Sequence, residues 1–147
     1  MNTTAALAAR LCETLTGAPC PGEAGPQQLS ALIRQGIPAT AWRTLAERYG
    51  LSTESLLGIC GISKATLARR MRQHKPFNAL ESDRLYRVAH IAALAEQALG
   101  SRERAARWLN TPNQALGGVS PLSLLDTEVG ARQVEQILGR IAYGVFS

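Results

Sequence analysis

Apolar residues recur every three or four positions along almost the whole chain, the period of an amphipathic helix, and nowhere alternate over a strand's length. Leu7, Leu11 and Leu15 set one such stripe near the start. Leu29, Leu32 and Ile33 set a second over 27–35, stopped by Gly36, and Trp42, Leu45 and Ala46 a third over 39–49, closed by Gly50. Two short helices follow over 53–60 and 64–73, facing inward through Leu56, Leu57 and Cys60 and through Leu67, Ala68 and Met71. Leu85, Val88, Ala89, Ala92 and Leu99 predict a long helix over 80–99, and a shorter one over 102–109 carries Trp108. The last helix follows Thr127, sets Val134, Ile137, Leu138 and Ile141 on one side, and runs to Gly144. The expected class is all-α.

The residues between these stripes say where each helix begins. Ser52 and Ser63 can each accept a bond from an amide in the next turn, and Asn78 with Glu81 three residues on has the form of a capping box. Residues 17–26 hold three prolines and three glycines, a composition for a loop. In 110–127, Thr111-Pro112 and Ser120-Pro121 each read as a cap followed by proline in the first turn, and Gly117-Gly118 as a C-cap, which predicts two short helical turns. The expected organisation is an N-terminal helix and linker over 1–26, a helix-turn-helix unit over 27–99 and a short-helix C-terminal unit over 100–147.

Charge singles out one part of this series. Residues 1–62 carry four basic and four acidic side chains, and residues 76–147 carry seven of each. The whole formal charge of +5 therefore lies on Lys64, Arg69, Arg70, Arg72 and Lys75, within the second helix of the predicted helix-turn-helix and just beyond it. With Leu67, Ala68 and Met71 facing the body, Ala65, Thr66, Arg69, Arg70 and Gln73 are expected to face solvent or a partner. Basic and short polar side chains with no acid among them suit a polyanion: lysine and arginine neutralise phosphates, and arginine and glutamine also bond base edges in the major groove.

Other chemistries find little support. His74 and His90 are the only histidines, and no cysteine or paired carboxylate accompanies them at metal spacing. Cys12, Cys20 and Cys60 have no paired Cys-x-x-Cys arrangement and read as small thiols in a reducing cytoplasm. Gly58 to Lys64 lacks both the spacing and the preceding strand of a phosphate loop. No apolar run approaches the roughly 20 residues that span a bilayer. A binding protein is expected, with no catalytic residue, cofactor or metal.

The run from Leu56 to Ile91, followed by 105–147, resembles the Xre/MbcA/ParS-type antitoxins, most of all the Xre antitoxins paired with RES-domain toxins. The resemblance covers about 40–147. Its most specific part is C-terminal: Trp108-Leu109, Pro112-Asn113, Leu116-Gly117-Gly118, Pro121-Leu122, Leu124-Leu125, Gly130, Val134 and Tyr143-Gly144. It implies a central Cro/Xre-like helix-turn-helix that binds operator DNA and a C-terminal unit that binds a RES toxin, an NAD-degrading enzyme. It further implies that the extreme C-terminus, with Arg140, Ile141, Tyr143, Gly144, Val145, Phe146 and Ser147, enters the toxin's active-site cleft. A homodimer on a palindromic operator, with half-sites about 34 Å apart, belongs to the same picture. Arg70 departs from the pattern, standing where recognition helices commonly carry an apolar residue. The favoured assignment is Ser63, Lys64, Thr66 and Arg69 toward DNA, with Arg70, Arg72 and Lys75 on phosphates. The alternatives are a stand-alone transcription regulator with a C-terminal effector or dimerisation unit, and a protein-binding adaptor whose basic helix is only solvated surface.

Overall fold

The computed structural model describes residues 3–19 and 25–144. Among these are eight α-helices: α1 (Thr3–Thr16), α2 (Pro26–Gln35), α3 (Thr40–Tyr49), α4 (Thr53–Cys60), α5 (Lys64–Gln73), α6 (Ala79–Leu99), α7 (Arg102–Asn110) and α8 (Glu128–Ala142). Two 3-10 turns, Gln114–Leu116 and Leu122–Leu124, lie between α7 and α8. The class is all-α, and among the described residues β pairing is confined to one antiparallel bridge between Asn113 and Val119.

Helix α6 is the axis. Leu85, Val88, Ala89, Ile91, Ala92, Ala93 and Ala95 are buried on it, too many for one stripe, so the helix is covered on several sides. Its alanines let neighbours approach closely, and α1, α2, α3, α4, α7 and α8 all pack against it. One hydrophobic cluster runs from Leu11 and Leu15 on α1, through Trp42, Leu45 and Leu56, to Leu109, Leu125, Val134 and Leu138. The helix-turn-helix and the C-terminal helices thus share an interior.

The caps act where the sequence puts them. Ser52 Oγ accepts the Ser55 amide and Ser63 Oγ the Thr66 amide, each at 3.1 Å. Asn78 Oδ1 accepts the Glu81 amide at 2.8 Å while Glu81 returns a carboxylate oxygen to the Asn78 amide at 2.9 Å. Thr127 Oγ1 accepts the Gly130 amide at 3.0 Å to start α8.

Two expectations are corrected. Thr111-Pro112 does not start a helical turn: Thr111 ends α7, and Asn113 Oδ1 caps the next turn by accepting the Ala115 amide at 2.9 Å. The reason is the bridge, in which the Asn113 amide donates to the Val119 carbonyl at 3.0 Å and the Gly118 amide donates back to Asn113 at 2.9 Å. That closed loop holds Asn113 extended and moves the cap two residues on. Cys12 is disulfide-bonded, against the expected free thiol, whereas Cys60 is buried and free. Cys20 lies outside the described residues.

Polar ties fix the register around the helix-turn-helix. The Ile37 amide donates to Ser82 Oγ at 2.8 Å, the Ser82 hydroxyl donates to the Phe77 carbonyl at 3.2 Å, and the Phe77 amide returns to the Ile37 carbonyl at 3.0 Å. Ser82 is fully buried, so this ring satisfies groups that would be costly unpaired. It joins the segment entering α3 to the one leaving α5. At the other end of α3, Arg48 and the Tyr49 hydroxyl both donate to Glu96 of α6, each at 2.9 Å.

Candidate nucleic-acid interface and partner-binding end

Helices α4 and α5 are joined by Gly61, Ile62 and Ser63. Gly61 is left-handed, φ 67°, and turns the chain; Ile62 is buried under the corner; Ser63 opens the next helix. Arg84 of α6 donates Nη1 to the Cys60 carbonyl at 3.2 Å, satisfying the end of α4, and its guanidinium lies where a Gly61 side chain would go. The corner therefore needs both a left-handed residue and a small one.

On α5, Leu67 is buried, and Arg70 and Met71 are half-buried beside it, three and four residues on. Ala65, Ala68, Arg69 and Arg72 are exposed at spacings of three, four and seven, which is one outward stripe. Two placements differ from those expected. Ala68 faces out, and Arg70 turns in, because Arg70 Nη2 pairs with Glu81 at 2.8 Å with only 18% and 14% of the two side chains exposed. Glu81 is the capping-box residue of α6, so one carboxylate closes a helix start and neutralises an arginine that sits at an inward position. The Arg70 Nε is buried with no partner.

Lys64, Arg69, Arg72 and Lys75 are exposed, and among the described residues none of them forms an ion pair. Ser63 is exposed and Thr66 half-buried, with the Ser63 hydroxyl donating to Thr66 Oγ1 at 2.9 Å. The surface has small side chains along its middle and free cations around them. Such a face lets helix backbone approach a groove while arginines and lysines reach phosphates on either side. His74 closes α5 in a left-handed conformation, φ 53°, its amide bonded to the Arg70 and Met71 carbonyls.

The second region is the end of α8. Gly130 packs directly on the Leu124 carbonyl, with no room for a Cβ, which seats the helix on the second 3-10 turn. Arg87 of α6 donates to the Leu125 carbonyl at 3.0 Å and approaches Glu128, tying the same corner to the core. Val134 and Leu138 are buried, Ile137 and Ile141 half-buried, and Arg140, Ala142 and Gly144 exposed. Tyr143 is 86% exposed. Val145, Phe146 and Ser147 lie outside the described residues.

A third feature was not anticipated from sequence: an apolar cavity of about 260 Å³ between α1, α2 and α6, lined by Leu7, Leu11, Leu29 and Ile33 with Tyr86 and His90. Its walls come from separate stripes, each of which reads only as core. The His90 ring stacks on Tyr86 with centroids 5.7 Å apart, and burial lowers its pKa against the opposing pull of Glu135 and Glu128. No group of three His, Cys, Asp or Glu among the described residues is arranged to hold a metal ion, and no helix among them is long and apolar enough to cross a membrane.

These surfaces can be set beside known proteins. Residues 28–90 match the antitoxin Xre-like helix-turn-helix domain, and residues 94–144 match the antitoxin Xre/MbcA/ParS C-terminal toxin-binding domain. An antitoxin Xre of Pseudomonas putida is 38% identical over 117 residues, 80% of this chain and 72% of that protein. An antitoxin Xre of Photorhabdus laumondii is 34% identical over 128 residues, 86% of each chain. A more distant relative, the Prs ADP-ribosylating antitoxin of a Sphingobium species, is 24% identical over 133 residues. The exposed basic helix falls within the first matched domain and the exposed end of α8 within the second, and the chain belongs to the Xre-type antitoxins, binding proteins rather than enzymes, with a helix-turn-helix for DNA and a C-terminal domain for a toxin.

Proposed function

We propose that this chain is the antitoxin of a type II pair whose toxin is a RES-domain, NAD-degrading enzyme, and that it acts in the cytoplasm. The end of α8 covers the toxin's active-site cleft, and the α4–α5 unit, as a homodimer, binds operator DNA and represses transcription of the pair. The observation that carries the first half is the 86% exposure of Tyr143 beyond an otherwise docked helix. A large aromatic left in water at the end of a packed element has the form of an anchor for a pocket on another molecule. Arg140, one turn earlier and exposed, is placed to pair with an acid there. The outward stripe of α5, flanked by unpaired cations, supports the second half.

The experiment uses the toxin encoded beside this gene, purified with the full chain or with a chain ending at Ile141, and follows NAD consumption. Silence with the full chain and activity with the shortened one, while the complex stays assembled, is the expected result. Silence with both sinks the covering role of the tail; a neighbouring protein with no NAD-consuming activity sinks the RES assignment.

A further inference from the structure

The five cations on and beside α5 are not equivalent. Arg70 alone is turned inward, paired to Glu81 at 2.8 Å with 18% of its side chain exposed, next to the buried Leu67. Glu81 is simultaneously fixed by the Asn78 amide at 2.9 Å, so it cannot follow Arg70 outward without opening the start of α6. Three residues along α6, Arg84 holds the end of α4 through the Cys60 carbonyl. The first turns of α6 therefore grip both helices of the motif, α4 by its last carbonyl and α5 by one side chain near its C-terminal end.

We propose that Arg70 is a positioning residue and not a phosphate contact: its pairing with Glu81 sets the rotation of α5 about its own axis, and so decides which side chains of the outward stripe meet the bases. This rests on the reading of α5 as the operator-binding helix. The physical reason is the cost of separating the two charges. A guanidinium that leaves this site to meet a phosphate abandons a half-buried carboxylate, whereas Arg69 and Arg72 meet phosphate from water. Arg70 thus holds α5 by an interaction whose strength depends on direction, where an apolar side chain would hold it only by contact area.

The test measures binding of the full chain to a duplex carrying the promoter region of its own gene, and to a duplex of scrambled sequence, over a range of salt. Arg70→Met keeps the inward volume but leaves Glu81 unpaired. It is expected to lower preference for the promoter duplex by roughly tenfold, the scale of a coupled pair of side chains, with the slope of log K against log salt unchanged. Adding Glu81→Gln removes the orphaned charge and keeps an oxygen for the Asn78 amide but does not restore the directional pairing, so stability is expected to recover while the preference stays low. A preference recovered in the double variant would show that the pairing does not set the rotation and would overturn the proposal. Circular dichroism and melting curves check that each variant is folded. A slope shallower by about 0.9 in Arg70→Met, unrecovered in the double variant, would show a phosphate contact and overturn the proposal. An unaltered chain with no preference between the duplexes would overturn the operator reading, and the positioning role with it.

Discussion

Helices α5 and α8 are both amphipathic and both offer an exposed face to another molecule, but they are held in opposite ways. Helix α5 is fixed at each end by side chains from outside it, with Arg84 under the corner that precedes it and Glu81 on Arg70 near its end. Helix α8 takes its polar and backbone fixings at its start, where Thr127 caps it, Gly130 sits on the Leu124 carbonyl and Arg87 holds Leu125, and is seated along its middle by the burial of Val134 and Leu138; toward its end Ile141 is half-buried and Tyr143 is in water. The difference suits the two kinds of target proposed for them. A helix that reads bases must arrive with its orientation already set, because a small rotation replaces one set of reaching side chains by another. A segment that fills a cleft gains by having an end that adapts to its partner.

The comparison is broken most severely at the start of α8. Gly130→Ala pushes a methyl into the Leu124 backbone carbonyl, and neither the 3-10 turn nor the helix can move without leaving the core. A destabilisation of about 3 kcal/mol is expected, at the upper end of ordinary overpacking, together with failure to bind the toxin. Chemical denaturation followed by circular dichroism measures the first and pull-down with the toxin the second. A melting point within a degree of the unaltered protein would mean that α8 is seated by something other than this packing.

Next in size are the free cations of α5. Arg69→Ala or Arg72→Ala is expected to leave stability within about 0.5 kcal/mol, as for an exposed side chain without an ion pair, and to make the salt slope of promoter binding shallower by about 0.9 for each phosphate left without its cation. Toxin inhibition should be unchanged. If either substitution released the toxin, the separation between the two faces would be wrong.

A smaller effect tests the joint between α3 and α6. Burial is the main cause that pushes the Tyr49 hydroxyl up to about 12, with Arg48 pulling it down and Glu96 raising it. Its folded pKa thus exceeds the unfolded value of 10.0, so the protonated form is favoured by folding. That contribution is whole below pH 10 and is lost as pH rises toward 12. The contribution of Cys60, whose thiol burial also pushes up to about 12, fades over the alkaline range that starts from its unfolded 9.0. Tyr49→Phe should cost about 1 kcal/mol at neutral pH through the bond to Glu96. It should also flatten the fall in stability between pH 10 and 12, leaving the part due to Cys60. A slope identical to that of the unaltered protein would mean that Tyr49 does not control it.

Most of the helices are legible in the sequence because each announces itself twice, by a stripe of period near 3.6 and by a capping residue at the right offset. Ser52, Ser63, Asn78 with Glu81, and Thr127 are local signals, read without knowing the fold. Thr111-Pro112 carries the same local signal and misleads, because Asn113 pairs with Val119 across a loop and that pairing outweighs the propensity of a threonine before proline. The position of Arg70 is only half legible, as a departure from a place that is commonly apolar, for a related reason. Residue type and period leave it at the boundary between the two faces of α5, and what turns it inward is Glu81, eleven residues away on another helix. The basic surface is legible as a cluster of charge with Ala65 beside it, but the outward place of Ala68 is not, since alanine fits either face. The cavity beside His90 draws its walls from α1, α2 and α6, and no local pattern encodes such a convergence.

The mildest substitution is the sharpest test of the difference between the two helices. Tyr143→Ala removes a side chain 86% in water, so folding stability should change by no more than about 0.5 kcal/mol, and promoter binding not at all. Buried against a toxin, the same ring would give up most of its exposed apolar surface to the partner, and anchors of this kind commonly contribute about 2 kcal/mol or more, near thirtyfold in affinity. Titration calorimetry with the purified toxin reads that ratio directly, and a Tyr143→Phe variant separates the ring from its hydroxyl. Retained affinity with alanine would mean that the inhibitory surface avoids the exposed end of α8, and the tail would then be as passive as its accessibility alone implies. Affinity abolished with alanine and kept with phenylalanine would assign the interaction to apolar burial, the same force that seats Val134 and Leu138 on the opposite side of the helix, acting here between molecules.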